Sequence, residues 1–373
     1  MKFGKELNAT LCSLPSEWHS YTIQYKQLKK LITQLVLEMR DVGLSPEELR
    51  EGKISKRIVF ENQGQNVIST VCIAPNESEG VDSEKLLQMR TDSAFFSALF
   101  DTLSGLSNLE KDNRKALTDT LEVLSDRLLK AASPREKDMY IWRNIFGLYH
   151  EASVFNITSD KNSRDRLDWF NGQMRERKFR DKLHHNSRDI FDEFILILTQ
   201  LVSVVQFQRL NQKAMRKILK KHDKRTGLGE STYFSKFIAR EELSLSADPC
   251  TTASQMIALR VTRVVPQPED YSCPVCMDIA WKPIRLSCSH LFCLPCLIKA
   301  QDQEKWDCPV CRCADSVKKA NGGNIDRGVQ KLMQLYFPKE IQKKAIERSK
   351  ELAIRDYEAL TGYAVSNDKC VLM

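Results

Sequence analysis

The sequence predicts a mainly α-helical protein that combines a long N-terminal helical bundle with a small cysteine-rich module near the C-terminus. Apolar residues recur at helical spacing over most of the first 240 residues. Residues 187–225 contain neither Gly nor Pro, which predicts a single long helix. Eight of the twelve cysteines lie between Cys273 and Cys313. At 373 residues, the chain is long enough for two or three domains.

The helical bundle is predicted over residues 1–240, with insertions. Its first long helix ends before Gly43. Residues 43–83 are rich in Gly, Pro and polar residues, and we interpret them as an insertion that holds a candidate strand pair. Helical spacing resumes over residues 82–132 and again over 187–225. An all-helical bundle is the simplest fold for this series of helices.

The C-terminal third divides into four predicted segments. Residues 241–270 carry Ser, Thr and several Pro, a composition typical of a linker. The cysteine-rich module is expected over residues 271–313. A helical segment is predicted over residues 325–362, where Pro338 suits the first turn of a helix. Residues 363–373 form a tail.

The composition of the sequence indicates the compartment in which the protein resides. The longest apolar stretch, residues 194–205, is interrupted by polar residues and falls short of the roughly 20 residues that span a bilayer. The N-terminal residues lack the pattern of a secretory signal. We therefore expect a cytoplasmic protein, with a nuclear location left open. In a reducing compartment, clustered cysteines indicate metal binding or thiol chemistry rather than disulfides.

The cysteine cluster has the spacing of a double zinc site. Its ligands are Cys273, Cys276, Cys288, His290, Cys293, Cys296, Cys308 and Cys311. Two intervening residues bring both thiolates of a pair to one metal, at about 2.3 Å from zinc. Eight ligands make two closed sites, so both zinc ions would be structural and unable to activate water. Redox thiols and other interleaved zinc modules, such as the PHD finger, are the alternatives.

This pattern resembles the RING finger over residues 271–312. The resemblance implies a small cross-brace domain with a short β-hairpin and a helix, in which the ligand pairs alternate between the two ions. On that basis one zinc is held by Cys273, Cys276, Cys293 and Cys296, and the other by Cys288, His290, Cys308 and Cys311. A domain this small has little core, so we expect metal loss to unfold it.

RING fingers bring a ubiquitin-charged conjugating enzyme to a substrate. The resemblance implies that Val275 and Pro309 contact the conjugating enzyme and that Arg312 bridges the enzyme and ubiquitin. The guanidinium would hold ubiquitin against its carrier, so that a substrate lysine meets a positioned carbonyl. Ala300 stands where many RING fingers have Trp, which leaves the choice of conjugating enzyme open. The alternatives are local packing for Val275 and Pro309 and a solvated charge for Arg312.

Lysines cluster on one predicted helical face near the end of the bundle. They are Lys213, Lys217, Lys220, Lys221 and Lys224. Their ammonium groups repel one another unless a polyanion or acidic side chains neutralise them. A second set, Lys2, Tyr25 and Lys29, lies near the start of the chain. A solvated face is the alternative, and no nucleic-acid partner is expected because the lysines are not interleaved with stacking aromatics.

Three separated segments resemble the SPX domain: the opening MKFGKEL, the segment from Tyr25 to Lys29, and KILKKHDK at 217–224. The resemblance covers roughly half of residues 1–240. SPX domains are helical bundles that bind inositol polyphosphates and pyrophosphates as signals of cellular phosphate status. The resemblance implies that this regulatory ligand contacts Lys2, Tyr25, Lys29, Lys217, Lys220, Lys221 and Lys224, where ammonium groups neutralise clustered phosphates.

The chain ends in Cys370-Val371-Leu372-Met373, which fits a prenylation signal in which the terminal Met favours farnesyl. A single lipid gives only reversible attachment, so we expect at most a peripheral association with membranes through Cys370. An unmodified cysteine is the alternative.

An SPX domain followed by a RING finger resembles the SPX-RING ubiquitin ligases of fungi and plants. The resemblance implies a ubiquitin ligase without a ubiquitin-cysteine intermediate, which responds to inositol pyrophosphate in phosphate homeostasis. Its partners would be a conjugating enzyme charged with ubiquitin and a protein substrate, such as a phosphate transporter or another phosphate-pathway protein. The alternative is a non-catalytic phosphate-sensing adaptor whose zinc module only binds partners.

Overall fold

The computed structural model describes most of the chain. It covers residues 2–51, 54–64, 66–75, 85–156, 162–243 and 248–363. The contacts divide the protein into two compact units, one formed by residues 1–128 and 148–261 and the other by residues 129–147 and 262–373. Within the described residues, the mainly helical architecture with a small zinc-finger-like module is as predicted.

The first unit begins with three helices and a small antiparallel sheet. The helices are α1 (Lys2–Leu11), α2 (Tyr25–Asp41) and α3 (Pro46–Arg50), and the strands are β1 (Ile54–Gln63), β2 (Asn66–Pro75) and β3 (Lys85–Leu87). The strands lie in the order β1-β2-β3, with Ile58 opposite Val71. The strand pair predicted inside the insertion is therefore confirmed.

Helix α4 (Arg90–Ala131) follows the sheet directly. Its N-terminus is capped from α2, because the Glu38 carboxylate accepts hydrogen bonds from the backbone N–H groups of Arg90, at 2.8 Å, and Thr91, at 2.9 Å. A carboxylate at this end also complements the helix dipole. The two elements are thus fixed to each other at the point where α4 begins.

The remaining helices up to residue 260 include one long helix that several of the others contact. They are α5 (Met139–Ala152), α6 (Ser163–Glu176), α7 (Phe179–Lys182), α8 (His185–Thr226), α9 (Ser231–Arg240) and α10 (Pro249–Arg260). Helix α8 contacts α1, α2, α6, α9 and α10. The single long helix predicted over residues 187–225 is confirmed, and it ends at Gly227, whose φ of 74° suits a glycine C-cap.

Helix α8 is long and apolar enough, by length and composition alone, to cross a membrane. Half of its most apolar stretch is buried inside the protein, and Phe194, Leu198 and Leu201 are among its buried residues. A core helix of a folded domain has the same properties.

Residues 241–270, predicted as a linker, contain helix α10. The Asp248 side chain accepts a hydrogen bond from the backbone N–H of Thr251 at 2.8 Å, and Pro249 occupies the first turn. Cys250, Ala253 and Ile257 are buried, and the helix packs on α8. The Ser, Thr and Pro residues that suggest a linker therefore also supply a cap and a proline at the start of a helix.

The second unit contains the cysteine-rich module and the C-terminal helices. The elements are β4 (Pro283–Arg285), β5 (Leu291–Cys293), α11 (Leu294–Asp302), α12 (Arg327–Tyr336) and α13 (Pro338–Thr361). Strands β4 and β5 form an antiparallel hairpin, and Ile284, Phe292 and Leu297 are buried in its core. Pro338 lies in the first turn of α13, as predicted.

Candidate functional site

The first metal cluster gathers two ligand pairs that are far apart in the chain. The sulfurs of Cys273, Cys276, Cys293 and Cys296 all lie within 4.8 Å of one another. The Cys276 and Cys293 sulfurs are 3.6 Å apart. Thiolates in a tetrahedral site are separated by about 3.8 Å when each lies about 2.3 Å from zinc, so this geometry fits a zinc ion.

The second cluster consists of Cys288, His290, Cys308 and Cys311. The Nδ1 atom of His290 lies 3.4 Å from the Cys288 sulfur and 3.7 Å from the Cys308 sulfur. The histidine therefore presents Nδ1, and not Nε2, to the sulfurs. Three thiolates and one imidazole nitrogen form a closed donor set of the kind that holds structural zinc.

The two clusters interleave along the chain. The pair Cys288 and His290 belongs to the second cluster but lies between the two pairs of the first. This is the predicted cross-brace, and the two donor sets are consistent with two zinc ions. The module has only a short hairpin and one helix to hold its segments together. Two bound metal ions would join these segments and supply the free energy that lets so small a module fold.

Two knuckles of the module have the same sequence and the same backbone geometry. Both read Cys-Pro-Val-Cys, at residues 273–276 and 308–311. The residue after each knuckle, Met277 or Arg312, has a left-handed backbone with φ of 59° or 57°. Its N–H donates a hydrogen bond of 2.8 Å to the carbonyl of the first cysteine of its own knuckle. The backbone of Arg312 is therefore fixed by the metal knuckle that precedes it.

The predicted basic face lies where α1, α2 and α8 meet. Tyr25, half-buried at the start of α2, packs edge-on against the Phe3 ring at 5.2 Å between centroids. The Lys217 ammonium lies 4.1 Å from the centroid of the same Phe3 ring. Phe3 thus links the tyrosine to the lysine run through packing and a cation–π contact.

Lys221 is close to other cations. Partial burial, together with the Lys29 and Arg225 charges, lowers the pKa of the Lys221 ammonium. Lys213 differs, because its ammonium pairs with the Glu6 carboxylate. Like charges gathered without enough acidic partners favour the binding of an anion.

The other predicted ligand residues occupy different surroundings. Lys220 lines a cavity of about 670 Å³ between α8 and α9, together with Arg216 and Lys236. Lys224 and Lys29 are exposed. The side chain of Lys2 lies outside the described residues.

Comparisons with known families match the segments that carry the basic face and the two metal clusters. The SPX domain profile matches residues 1–66 and 156–238, and the profile of the C3HC4-type zinc finger, or RING finger, matches residues 273–311. The chain carries an SPX domain followed by a RING finger. The resemblance to both is thereby confirmed. The SPX match omits residues 67–155, which include most of β2 and all of β3, α4 and α5.

Curated fungal relatives span most of the chain. The transcriptional regulator of yeast form adherence 3 of Candida albicans is 33% identical over 305 residues, which cover 78% of this chain and 60% of that protein. A RING finger protein of Schizosaccharomyces pombe is 27% identical and aligns with 94% of this chain and 96% of its own length. The E3 ubiquitin-protein ligase rnf168 of Danio rerio is 44% identical over 43 residues, 12% of this chain and 9% of that protein. No solved structure matches the chain.

The RING finger exposes apolar side chains around its knuckles. Val275 is 50% exposed, and its counterpart in the second knuckle, Val310, is 49% exposed. Pro309 and Arg312 are also exposed. Apolar side chains that stay in water are candidates for a protein contact.

The residues predicted from the sequence do not include Val310, nor Met277, which is 78% exposed, nor Ile298 on α11, which is 42% exposed. The repeated Cys-Pro-Val-Cys sequence is a signal that could have identified Val310. Cys370 lies outside the described residues.

Proposed function

We propose that this protein is a RING-type ubiquitin ligase that transfers ubiquitin from a conjugating enzyme to lysines of a protein substrate. The main support is the geometry of the final knuckle, where Arg312 follows the last zinc ligand, is exposed, and has its backbone bonded to the Cys308 carbonyl. The RING finger implies binding of a conjugating enzyme in general. Several proteins that share this segment carry the name E3 ubiquitin-protein ligase.

The RING finger would act by binding and orientation. Val275 and Pro309 offer apolar contacts to the conjugating enzyme, and bound zinc would keep the two knuckles rigid. The Arg312 guanidinium, with five donors in a planar fork, would bridge the enzyme and its ubiquitin. Restricting a mobile thioester-linked ubiquitin places its carbonyl before the substrate lysine and lowers the entropic part of the barrier. No cysteine of this protein need carry ubiquitin.

We further propose that the SPX domain binds inositol polyphosphates and pyrophosphates. Tyr25, Lys29 and Lys221 supply a hydroxyl and two ammonium groups near one place, and burial together with the Lys29 and Arg225 charges lowers the pKa of Lys221. Lys217, Lys220 and Lys224 extend that charge along α8. A ligand dense in phosphate would relieve the repulsion and make charge-assisted hydrogen bonds.

The location and the substrate belong to the same proposal. A cytoplasmic ligase with a farnesyl group on Cys370 would reach membranes reversibly, where a phosphate transporter could be its substrate. A nuclear location is also compatible with this reaction.

Discharge of ubiquitin from a charged conjugating enzyme tests the ligase proposal. The full-length protein should accelerate transfer to free lysine with at least one enzyme of a panel, and Arg312→Ala should reduce that acceleration by tenfold or more. Arg327→Ala, which removes an exposed arginine of α12 in the same unit, is the matched control and should keep full activity. A protein that binds conjugating enzymes but accelerates no discharge would be an adaptor and not a ligase.

A further inference from the structure

A buried cluster in the first compact unit includes none of the RING zinc ligands and none of the lysines of the predicted basic face. It consists of Asp92 in the first turn of α4, His222 near the end of α8, and Glu230 immediately before α9. Each of the three is at most 1% exposed. One ligand atom from each residue lies within 4.8 Å of the other two.

The distances within the cluster are close to those around one metal ion. The His222 Nε2 atom lies 2.9 Å from Asp92 Oδ1 and 3.6 Å from Glu230 Oε2. Nitrogen and oxygen ligands of tetrahedral zinc are about 3.3 Å apart, given bonds of about 2.0 to 2.2 Å. Both distances from the imidazole nitrogen are therefore within a few tenths of an ångström of those around one zinc ion, and the two carboxylate oxygens lie within 4.8 Å of each other.

Two carboxylate oxygens of the cluster lack hydrogen-bond partners within the described residues. They are Asp92 Oδ2 and Glu230 Oε2. A buried acceptor without a donor is costly, and a cation is one group that satisfies it. Lys56 does not fill this role, since its ammonium donates to the backbone carbonyls of Leu49 and Gly227.

Neighbouring side chains contact two of the three ligand residues. The second ring nitrogen of His222, Nδ1, lies 3.8 Å from Asp223 Oδ1. The other oxygen of Glu230, Oε1, accepts a hydrogen bond from the Ser69 hydroxyl at 3.2 Å. The Phe95 ring stacks on the imidazole at 4.7 Å between centroids. At 3.8 Å the Asp223 carboxylate is too far from Nδ1 for a hydrogen bond, so it would act on the ring through its charge alone.

We propose that Asp92, His222 and Glu230 form a buried, thiolate-free zinc site within the first unit. A divalent ion would neutralise both buried carboxylates, which otherwise need protons shared among the three side chains. One imidazole with two carboxylates suits zinc better than calcium or magnesium, which prefer oxygen ligands throughout.

This zinc ion would join the start of α4, the end of α8 and the start of α9. His222 lies between Lys221 and Asp223, so the ion would fix the turn of α8 from which Lys220, Lys221 and Lys224 project. The ion would therefore support, from within the core, the part of α8 that carries these lysines.

Zinc content per chain tests the proposal. The full-length protein, purified with zinc and dialysed, should contain three zinc ions by mass spectrometry, two of them in the RING finger. Asp92→Asn and Glu230→Gln, which replace a carboxylate by an amide of the same shape, should each contain two. Glu38→Gln is the matched control, because Glu38 caps the same end of α4 without belonging to the cluster, and it should contain three.

Thiol modification gives a second measurement that does not need a folded variant. A mercurial reagent should release two zinc ions from the wild-type protein, and the third should appear only after denaturation. The proposal is overturned if the wild-type protein holds two zinc ions, if the mercurial releases all bound zinc, or if folded Glu230→Gln keeps three. In those cases protons shared among His222, Asp92 and Glu230 balance the charge instead.

Discussion

The guanidinium of Arg143 lies 4.3 Å from the centroid of the Phe337 ring, at the junction between α12 and α13. Arg143 is only 5% exposed, and Phe337 is completely buried. The same guanidinium donates to the Tyr336 carbonyl and pairs with Glu340 at 3.2 Å. One side chain of α5 thus fixes the direction in which α13 leaves the RING finger.

Replacing this arginine should destabilise the second unit. We expect Arg143→Ala to lower the free energy of unfolding by about 1 to 3 kcal/mol, because it removes a cation–π contact and two charge-assisted hydrogen bonds. Arg143→Lys should recover part of the loss, since an ammonium keeps the charge but lacks the planar fork. Chemical denaturation measures both, and the exposed Arg135→Ala is the control. Equal stabilities for Arg143→Ala and Arg135→Ala would show that the contact contributes nothing.

Loss of a single zinc ligand should remove one metal ion and unfold the RING finger alone. Cys311→Ser is expected to hold at least one zinc ion fewer than the wild-type protein, because Cys311 belongs to the second cluster. Cys313→Ser is the matched control, since Cys313 lies two residues further on and is outside both clusters. Hydrogen exchange should show that amide protection around Phe292 is lost in Cys311→Ser. In Cys313→Ser the protection should be the same as in the wild-type protein. Identical zinc contents would contradict the assigned ligand set.

The features predicted from sequence depend on local rules, whereas those missed depend on packing between distant segments. The spacing of Cys and His identifies zinc ligands because few residue types bind zinc and a tetrahedral site limits their separation. Helix α8 follows from an uninterrupted pattern of 39 residues over 187–225. Arg143 and Phe337 are 194 residues apart, so no local pattern relates them. The contact between His222 and Asp92 spans 130 residues and is hidden for the same reason.

The exposed valine of the first knuckle should contribute to binding of the conjugating enzyme. We expect Val275→Ala to weaken that binding by about tenfold, equivalent to about 1.4 kcal/mol, because it removes apolar area from a contact. Val310→Ala tests whether the second knuckle, which has the same geometry, also contributes. Val123→Ala on α4 removes an equally exposed valine, 57% exposed, outside the RING finger and should change nothing. Binding titrations with a charged enzyme measure the three variants, and an unchanged affinity for Val275→Ala would exclude this contact.

Neutralising Lys221 should weaken ligand binding without lowering the stability of the ligand-free protein. Since burial and the neighbouring cations lower the pKa of Lys221, its charged form is disfavoured in the folded state. Lys221→Gln should therefore leave the melting temperature of the ligand-free protein unchanged or slightly higher. It should also weaken binding of inositol pyrophosphate at least tenfold, because one of the clustered ammonium groups is lost.

Calorimetry and thermal melting check both effects in the same protein. Lys115→Gln, which neutralises an exposed lysine on α4, is the matched control and should alter neither quantity. Because a ligand stabilises only the state that binds it, pyrophosphate should raise the melting temperature of the control more than that of Lys221→Gln. If Lys221→Gln lowers the stability of the ligand-free protein and keeps its affinity, Lys221 is a structural residue and the anion binds elsewhere.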